Sequence, residues 1–334
     1  MMPVRVGIIG IGMMGREHAE ILATSPRAEL VVACDLDPAA RDAVPASVPF
    51  TTEMDRALDT ARLEAVLIAT PQAHHLGAVK AALERGLAVF CEKPIADTLA
   101  AADGLVALGS QPGADVVIGH MYRFDPRYRA IQEAVAAGSI GRPVQLTSRG
   151  NVPDFEGRIL AGRTTLAVEN GVHTFDLMQW LAGPIVRVYG EATSTQTLGP
   201  GLVDSIVVTV RFGSGATGMF ATSWIMPSAT GRSSEHAFSI LGSEGMAWID
   251  GRDAGVGIVG SAGHAFPPSI AYRDPSGVPY GLYRTEVDHW LAHVRDGRLW
   301  PVTLEEARSA LACAIAADRS MAEGRPVELT EVRT

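Results

Sequence analysis

The chain has 334 residues, 47% hydrophobic and 19% charged, enough for two domains that each bury a core. Its net charge of −9, with no basic stripe, disfavours nucleic acid and anionic membrane as partners, because the long-range field repels both. It has no apolar run long enough to span a membrane, and Met1-Met2-Pro3 leads almost directly into the first apolar run, so no cleavable signal is expected and the cytoplasm is the predicted compartment.

Val4, Val6, Ile8 and Ile9 enter Gly10-Ile11-Gly12-Met13-Met14-Gly15, and a second apolar run, Leu30 to Cys34, ends at Asp35. Strand, glycine turn, helix and acid in this order predict a dinucleotide site. Gly10 permits a tight turn, Gly12 lets backbone N–H groups approach a pyrophosphate, and Gly15 lets the helix pack close, its positive end toward the phosphates. Asp35 is spaced to accept hydrogen bonds from ribose hydroxyls. Leu36 rather than a basic residue follows it, which predicts NAD over NADP, with Arg41 the side chain that could fold back onto a 2′-phosphate.

Val48 to Thr51, Ala65 to Ala69, Leu87 to Cys91 and Val116 to Gly119 read as further strands, continuous and apolar as in a parallel sheet covered on both faces. Helices are predicted between them at Met54 to Asp59, His74 to Arg85 and from Asp97 or Thr98 to Leu108. An α/β, doubly wound parallel sheet is predicted, with the domain boundary drawn as 1–122 and 123–334 and the final helix, about 304–323, able to pack back toward the first domain. From Pro143 the rhythm changes to strands joined by turns: Val144 to Arg149, Ile185 to Thr193, Ser205 to Phe212, Ala216 to Trp224, Ala237 to Leu241 and Met246 to Ile249. That half is predicted as α+β with a mostly antiparallel sheet. Gly251 to Gly281, rich in Gly, Pro and Ser, reads as a long excursion, followed by helices at Glu286 to Arg295 and Leu304 to Glu323. Cys34, Cys91 and Cys313 sit in apolar runs and read as buried thiols.

Cofactor and substrate are expected at the carboxyl ends of the parallel strands. The fourth strand runs into Thr70-Pro71-Gln72-Ala73-His74-His75 and the fifth into Glu92-Lys93-Pro94. A lysine held at a strand end could give a proton to a carbonyl oxygen as hydride arrives, or polarise the alcohol in reverse. Taken without its neighbours, such a lysine is most often a solvated loop residue. Glu169, His173 and Asp176 have i, i+4, i+7 spacing and share one face if helical. A histidine between two carboxylates can have its tautomer fixed and its basicity raised; the bland alternative is a satisfied polar core histidine with surface or cap charges nearby. Carboxylate and imidazole one turn apart can also chelate, and His289 and His293 share that spacing, but neither set has a clear third ligand and no metal is expected.

Gly10 to Gly15, Asp35, Ala69-Thr70-Pro71, Glu92-Lys93-Pro94 and His173 through Gly183 resemble the glucose-fructose oxidoreductase, inositol dehydrogenase and MocA-like family, over nearly the whole chain. The resemblance implies an N-terminal Rossmann domain, a C-terminal domain whose open sheet makes homodimer or homotetramer contacts, and NAD(P)-dependent oxidation or reduction of sugars, cyclitols or related compounds. It makes Lys93 the catalytic lysine and His173 the catalytic histidine, oriented by Glu169 and Asp176. Cofactor contacts are then expected at Thr70, Pro71, Gln72, His75, Glu92, Lys93 and Pro94 as well as the glycine turn. Substrate contacts are expected from Lys93, Glu169 and His173 with His120, Tyr122, Arg123, Asn151 and Arg163; Trp224 and His236 are weaker candidates, and Tyr272 to Tyr283 a lid or an oligomer arm. The chain departs from the family pattern at Glu169, where an Asp is usual, at Thr164-Thr165, where glycines are common, and at Gln72, where Asn is usual. An NAD-dependent dehydrogenase is the leading expectation. The alternatives are a redox-neutral NAD-dependent enzyme that cleaves glycosides and a non-enzymatic NAD-binding regulator.

Overall fold

The computed structural model describes residues 2–230, 234–250, 258–260, 263–265, 271–273 and 277–332. Two compact units result: Met1–Phe124 with Ile270–Arg308, and Asp125–Ser269 with Ser309–Thr334.

The first unit opens with β1 (Val4–Ile9), α1 (Met13–Thr24), β2 (Ala28–Cys34), β3 (Phe50–Thr51), α2 (Met54–Leu58), β4 (Ala65–Ile68), α3 (His75–Leu83), β5 (Ala88–Cys91), α4 (Leu99–Gly109) and β6 (Val116–Ile118). All six strands are parallel, in the order β3-β2-β1-β4-β5-β6. The chain order reverses between β1 and β4, and the carboxyl ends of those strands form the crevice where such sheets take ligands. Every residue of β4 and β5 is buried, which accounts for their unbroken apolar sequences.

The second unit contributes α5 (Pro126–Ala136), β7 (Pro143–Pro153), α6 (Asp154–Leu160), α7 (Val172–Ala182), β8 (Ile185–Thr193), β9 (Ser205–Phe212), β10 (Thr217–Met226), β11 (Glu235–Gly242), β12 (Met246–Ile249), β13 (Ile258–Gly260) and β14 (Gly263–Ala265). Then follow β15 (Ala271–Arg273), β16 (Pro279–Gly281) and α8 (Leu282–Asp296) of the first unit, α9 (Leu304–Glu323), which crosses from first unit to second, and β17 (Val327–Glu328). The large sheet runs β12-β11-β7-β10-β9-β8-β17, antiparallel except for the parallel β7–β10 pair. Strict alternation in β9 buries Ile206, Val208, Val210 and Phe212 and turns Val207 outward. The buried face takes α7, with the Phe175 and Phe220 ring centroids 5.1 Å apart.

The compact units differ from a single boundary at 122/123 in that Ile270–Arg308 joins the first unit. Val287, Trp290 and Leu291 of α8 belong to the core of the parallel sheet with Ile8 and Phe90, and the Phe90 and Trp290 centroids lie 5.6 Å apart. Amphipathic spacing identifies this helix without saying which sheet it covers. The sequence reading also omitted α5 and α6. Asp125 accepts the Arg127 N–H at 2.8 Å and Pro126 takes the first helical position, a start signal that was legible. Within the predicted excursion, residues 251–257, 261–262, 266–270 and 274–276 lie outside the described residues, including part of the expected lid or arm at Tyr272 to Tyr283.

Candidate functional site

Gly10 has φ +91°, and a Cβ there would lie 2.6 Å from the Ala69 carbonyl oxygen, so the turn after β1 requires glycine. A Cβ on Gly15 would lie 2.0 Å from the Gly10 oxygen, which explains why α1 approaches the turn so closely. A Cβ on Gly12 would meet nothing within 4 Å, leaving open space over the turn. Gly12 also starts α1 without a side-chain cap, so the first-turn N–H groups have no side chain of their own to satisfy them.

Across the crevice, Ile11 N–H donates to Asp35 Oδ2 at 2.6 Å and Asp37 N–H donates to Oδ1 at 2.9 Å, fixing the carboxylate at the end of β2. Arg41 does not fold back: its guanidinium donates to the carbonyls of Val44, Pro45 and Ala46 at 3.5, 3.2 and 2.9 Å. Among the described residues Thr70 Oγ1, after β4, is buried and has no hydrogen-bond partner. Open space at Gly12, an uncapped helix start, an oriented acid and an orphaned hydroxyl fit NAD, and the occupied Arg41 withholds the cation a 2′-phosphate would need.

Glu92-Lys93-Pro94 follows β5 directly, with Glu92 N–H donating to Ile68 O at 2.9 Å. Lys93 N–H donates to Glu92 Oε2 at 3.0 Å, and the Lys93–Pro94 peptide is cis. His75, 1% exposed, faces Pro94 O with Nδ1 at 3.0 Å and Thr70 O with Nε2 at 2.9 Å. Burial holds its imidazole below the ordinary value against the pull of those carbonyls and of Glu92. His75 therefore stitches the loop after β4 to the turn after β5, a scaffold task rather than the direct cofactor contact expected of it. Gln72 is half-buried and Pro71 exposed in the same loop.

In the second unit, Ala167–Gly171 forms a wider π-type turn that runs into α7 at Val172. Glu169 lies on that turn and His173 and Asp176 on α7, so the i, i+4, i+7 register expected of one regular helix holds only from His173 onward. His173 is half-buried, and Asp176 is 2% exposed. Asn170 pins the turn to the sheet: Trp224 Nε1 donates to its Oδ1 at 3.1 Å, and its Nδ2 donates to Thr222 Oγ1 at 3.4 Å. Thr165, one of the departures from the family pattern, accepts the Val168 N–H at 3.2 Å and donates to Asp318 Oδ2 at 2.6 Å, so it holds the turn from its other end.

Arg123 is 1% exposed and bonds Pro301 O at 3.0 Å and Glu306 Oε1 at 3.3 Å, acceptors that a buried guanidinium needs. Asn151 donates to Glu235 Oε2 at 2.8 Å and accepts from Ser223 Oγ at 3.0 Å, both strand neighbours on the face opposite Trp224 and Asn170. Arg163 is exposed beside a cavity of about 590 Å³ that Thr165, Leu166, Ile206, Trp224 and Asp318 also line. His236, on β11, is pushed down to about 4 by burial and then by the charge of Arg127, and is neutral. His120 and Tyr122 are buried at the end of β6.

His289 and His293, the rival metal pair, face Leu299 O at 3.0 Å and Asp115 Oδ1 at 2.9 Å respectively, and among the described residues no group of three His, Cys, Asp or Glu could hold a metal ion. No described helix is long and apolar enough to cross a membrane. Residues that the sequence reading missed are Asn170, His18 and Glu286. The last two are buried on helices in positions where only tertiary packing reveals their neighbours.

A profile described as an oxidoreductase family with an NAD-binding Rossmann fold matches residues 4–120, and one described as the C-terminal alpha/beta domain of an oxidoreductase family matches 132–329. The chain is 27% identical over 347 residues to inositol 2-dehydrogenase from Rhizobium meliloti (strain 1021), covering 98% of this chain and 100% of that one. It is 34% identical over 227 residues to inositol 2-dehydrogenase 2 from Paenarthrobacter aurescens (strain TC1), covering 64% and 67%. Among solved structures, GenD2 from gentamicin A biosynthesis, in complex with NAD, superposes with a TM-score of 0.83 at 25% identity, covering 98% of this chain and 97% of that one.

Proposed function

The chain belongs to the glucose-fructose oxidoreductase, inositol dehydrogenase and MocA-like family of NAD-dependent oxidoreductases acting on CH–OH groups, and from that premise we propose that it oxidises a secondary alcohol of a cyclitol or closely related polyol. The observation that carries the reading is Lys93, held at the carboxyl end of β5 by its own N–H on Glu92 within a sheet built for NAD. The names of the relatives favour an inositol over an open-chain sugar.

NAD, held by the Gly10–Gly15 turn and Asp35, would supply the hydride acceptor for the carbinol carbon. Lys93 Nζ donates to the reacting oxygen and stabilises the charge that develops on it. His173 takes the hydroxyl proton in oxidation and returns it in reduction, with Glu169 and Asp176 orienting the imidazole. Three buried cysteines with no disulfide accord with a reducing cytoplasm. We assign the uncovered face of the large sheet to a homo-oligomer: Trp248, Val207 and Met219 point outward there, 64%, 43% and 42% exposed.

The test is NAD reduction against a panel of inositols, monosaccharides and sugar acids, with Lys93→Ala measured beside wild type. Turnover on at least one cyclitol is expected, falling about 10²–10⁴-fold in the variant while NAD affinity is retained. Wild-type turnover in Lys93→Ala would remove the lysine from the mechanism.

A further inference from the structure

The turn that carries Glu169 into α7 lies against the buried face of β10, on which Phe220, Thr222 and Trp224 alternate with outward residues. A Cβ on Gly171 would lie 3.4 Å from both the Phe175 and Phe220 rings, so the turn rests on apolar surface there. Farther along the strand the contact becomes polar. Trp224, 1% exposed, donates from Nε1 to Asn170 Oδ1 at 3.1 Å, and Asn170 Nδ2 donates to Thr222 Oγ1 at 3.4 Å. Thr222, 3% exposed, donates in turn to the carbonyl of Gly150, its register partner on β7.

This chain of bonds has one direction. An indole N–H can only donate, which fixes Oδ1 toward Trp224 and Nδ2 toward Thr222 and leaves the Thr222 proton for Gly150. On the other flank Thr165 is committed in the same way. Its Oγ1 accepts the Val168 N–H at 3.2 Å and donates to Asp318 Oδ2 at 2.6 Å, while its carbonyl accepts the Glu169 N–H at 2.9 Å. The backbone at Glu169 is therefore held from the sheet through Asn170 and from α9 through Thr165. A π-type turn is uncommon, and a satisfied buried polar network specifies one geometry where apolar contacts tolerate several.

We infer that Asn170, Trp224 and Thr222 are positioning residues that fix the register of the π-type turn, and with it the place of the Glu169 carboxyl relative to His173. The consequence for turnover rests on the proposed roles of Glu169 and His173, whereas the hydrogen-bonded grip on the turn does not.

The test is Asn170→Leu combined with Trp224→Phe, because removing both partners together leaves an apolar contact of similar size and no unpaired indole N–H. Trp224→Phe alone is measured beside it. Each variant is followed by thermal melt, NAD affinity, kcat and KM on the inositol and sugar panel, and hydrogen exchange of the amides of residues 168–171. The double variant is expected to melt near wild type and bind NAD normally, yet to lose about 10- to 100-fold in kcat, the cost of a misplaced catalytic group. Its 168–171 amides should exchange faster. Packing alone would be satisfied by the apolar pair, so wild-type kcat and exchange in the folded double variant overturn the inference. A loss of NAD affinity that matches the loss in kcat marks general damage and overturns it too. If the double variant does not fold, Trp224→Phe is judged by the same readings. If wild type turns over nothing on the panel, the proposed function fails separately and exchange decides: faster exchange in a variant that melts normally supports the grip, and unchanged exchange overturns it.

Discussion

Ile11 N–H and Asp35 Oδ2 are 2.6 Å apart, so the glycine turn and the acid after β2 are joined through one hydrogen bond. The carboxylate proposed to read the adenosine ribose is also a strut for the glycine turn.

Replacing Asp35 with Ala should therefore weaken NAD about 10- to 100-fold, the cost of losing hydrogen bonds to a charged acceptor. Arg41→Ala should leave NADP affinity unchanged, because its guanidinium is already taken up by the Val44, Pro45 and Ala46 carbonyls. Calorimetric titration with both dinucleotides checks the pair, and undiminished NAD binding by Asp35→Ala would contradict the assignment.

Gly12 and Gly15 should respond in opposite ways to alanine. A Cβ on Gly12 meets nothing within 4 Å, so Gly12→Ala should melt near wild type yet bind NAD poorly, the methyl filling the space a phosphate needs. Gly15→Ala places a carbon 2.0 Å from Gly10 O and should lose at least about 2 kcal/mol of stability. Thermal melts with and without NAD separate the two effects.

Asp318 carries a stability signature in acid. Burial raises its carboxyl from 3.8 to about 6, with the Thr165 hydroxyl opposing. The folded state then holds this proton more tightly than the unfolded chain, so the contribution to stability is greatest below the unfolded value, declines as pH rises between the two, and has become a full penalty above about 6. Asp318→Asn should flatten this decline and be more stable by roughly 1–2 kcal/mol at neutral pH, after allowance for partial solvent screening. Parallel stability curves for the two proteins would show that the buried carboxyl is not responsible.

His293 should act with the same sign in a higher pH window. The Asp115 hydrogen bond raises its imidazole above 6.5, against burial. Its stabilisation is complete below the unfolded value and disappears as pH rises through the folded one. Asp115→Asn should narrow the difference between melts at about pH 6 and about pH 8.5; an unaltered difference would assign the pH dependence elsewhere.

The parts of this protein legible from sequence are those governed by short-range rules. The turn at Gly10 needs positive φ, Gly15 needs room for Gly10 O, and Asp35 ends an apolar strand at a fixed spacing, so the NAD half could be read from local pattern alone. Alternating burial likewise made β9 readable to the residue.

Tertiary structure decided what depended on neighbours distant in the chain. Helix α8 joined the parallel sheet because Trp290 packs on Phe90, two hundred residues earlier. Remoteness in the chain likewise hid His18 as the partner of Glu92 and made Arg123 a buried strut on Pro301 and Glu306. Hydrophobic period and turn chemistry act over a few residues. The pairing of a buried charge is settled only when remote segments meet, and there the chain order carries no signal of which acceptor or donor will arrive.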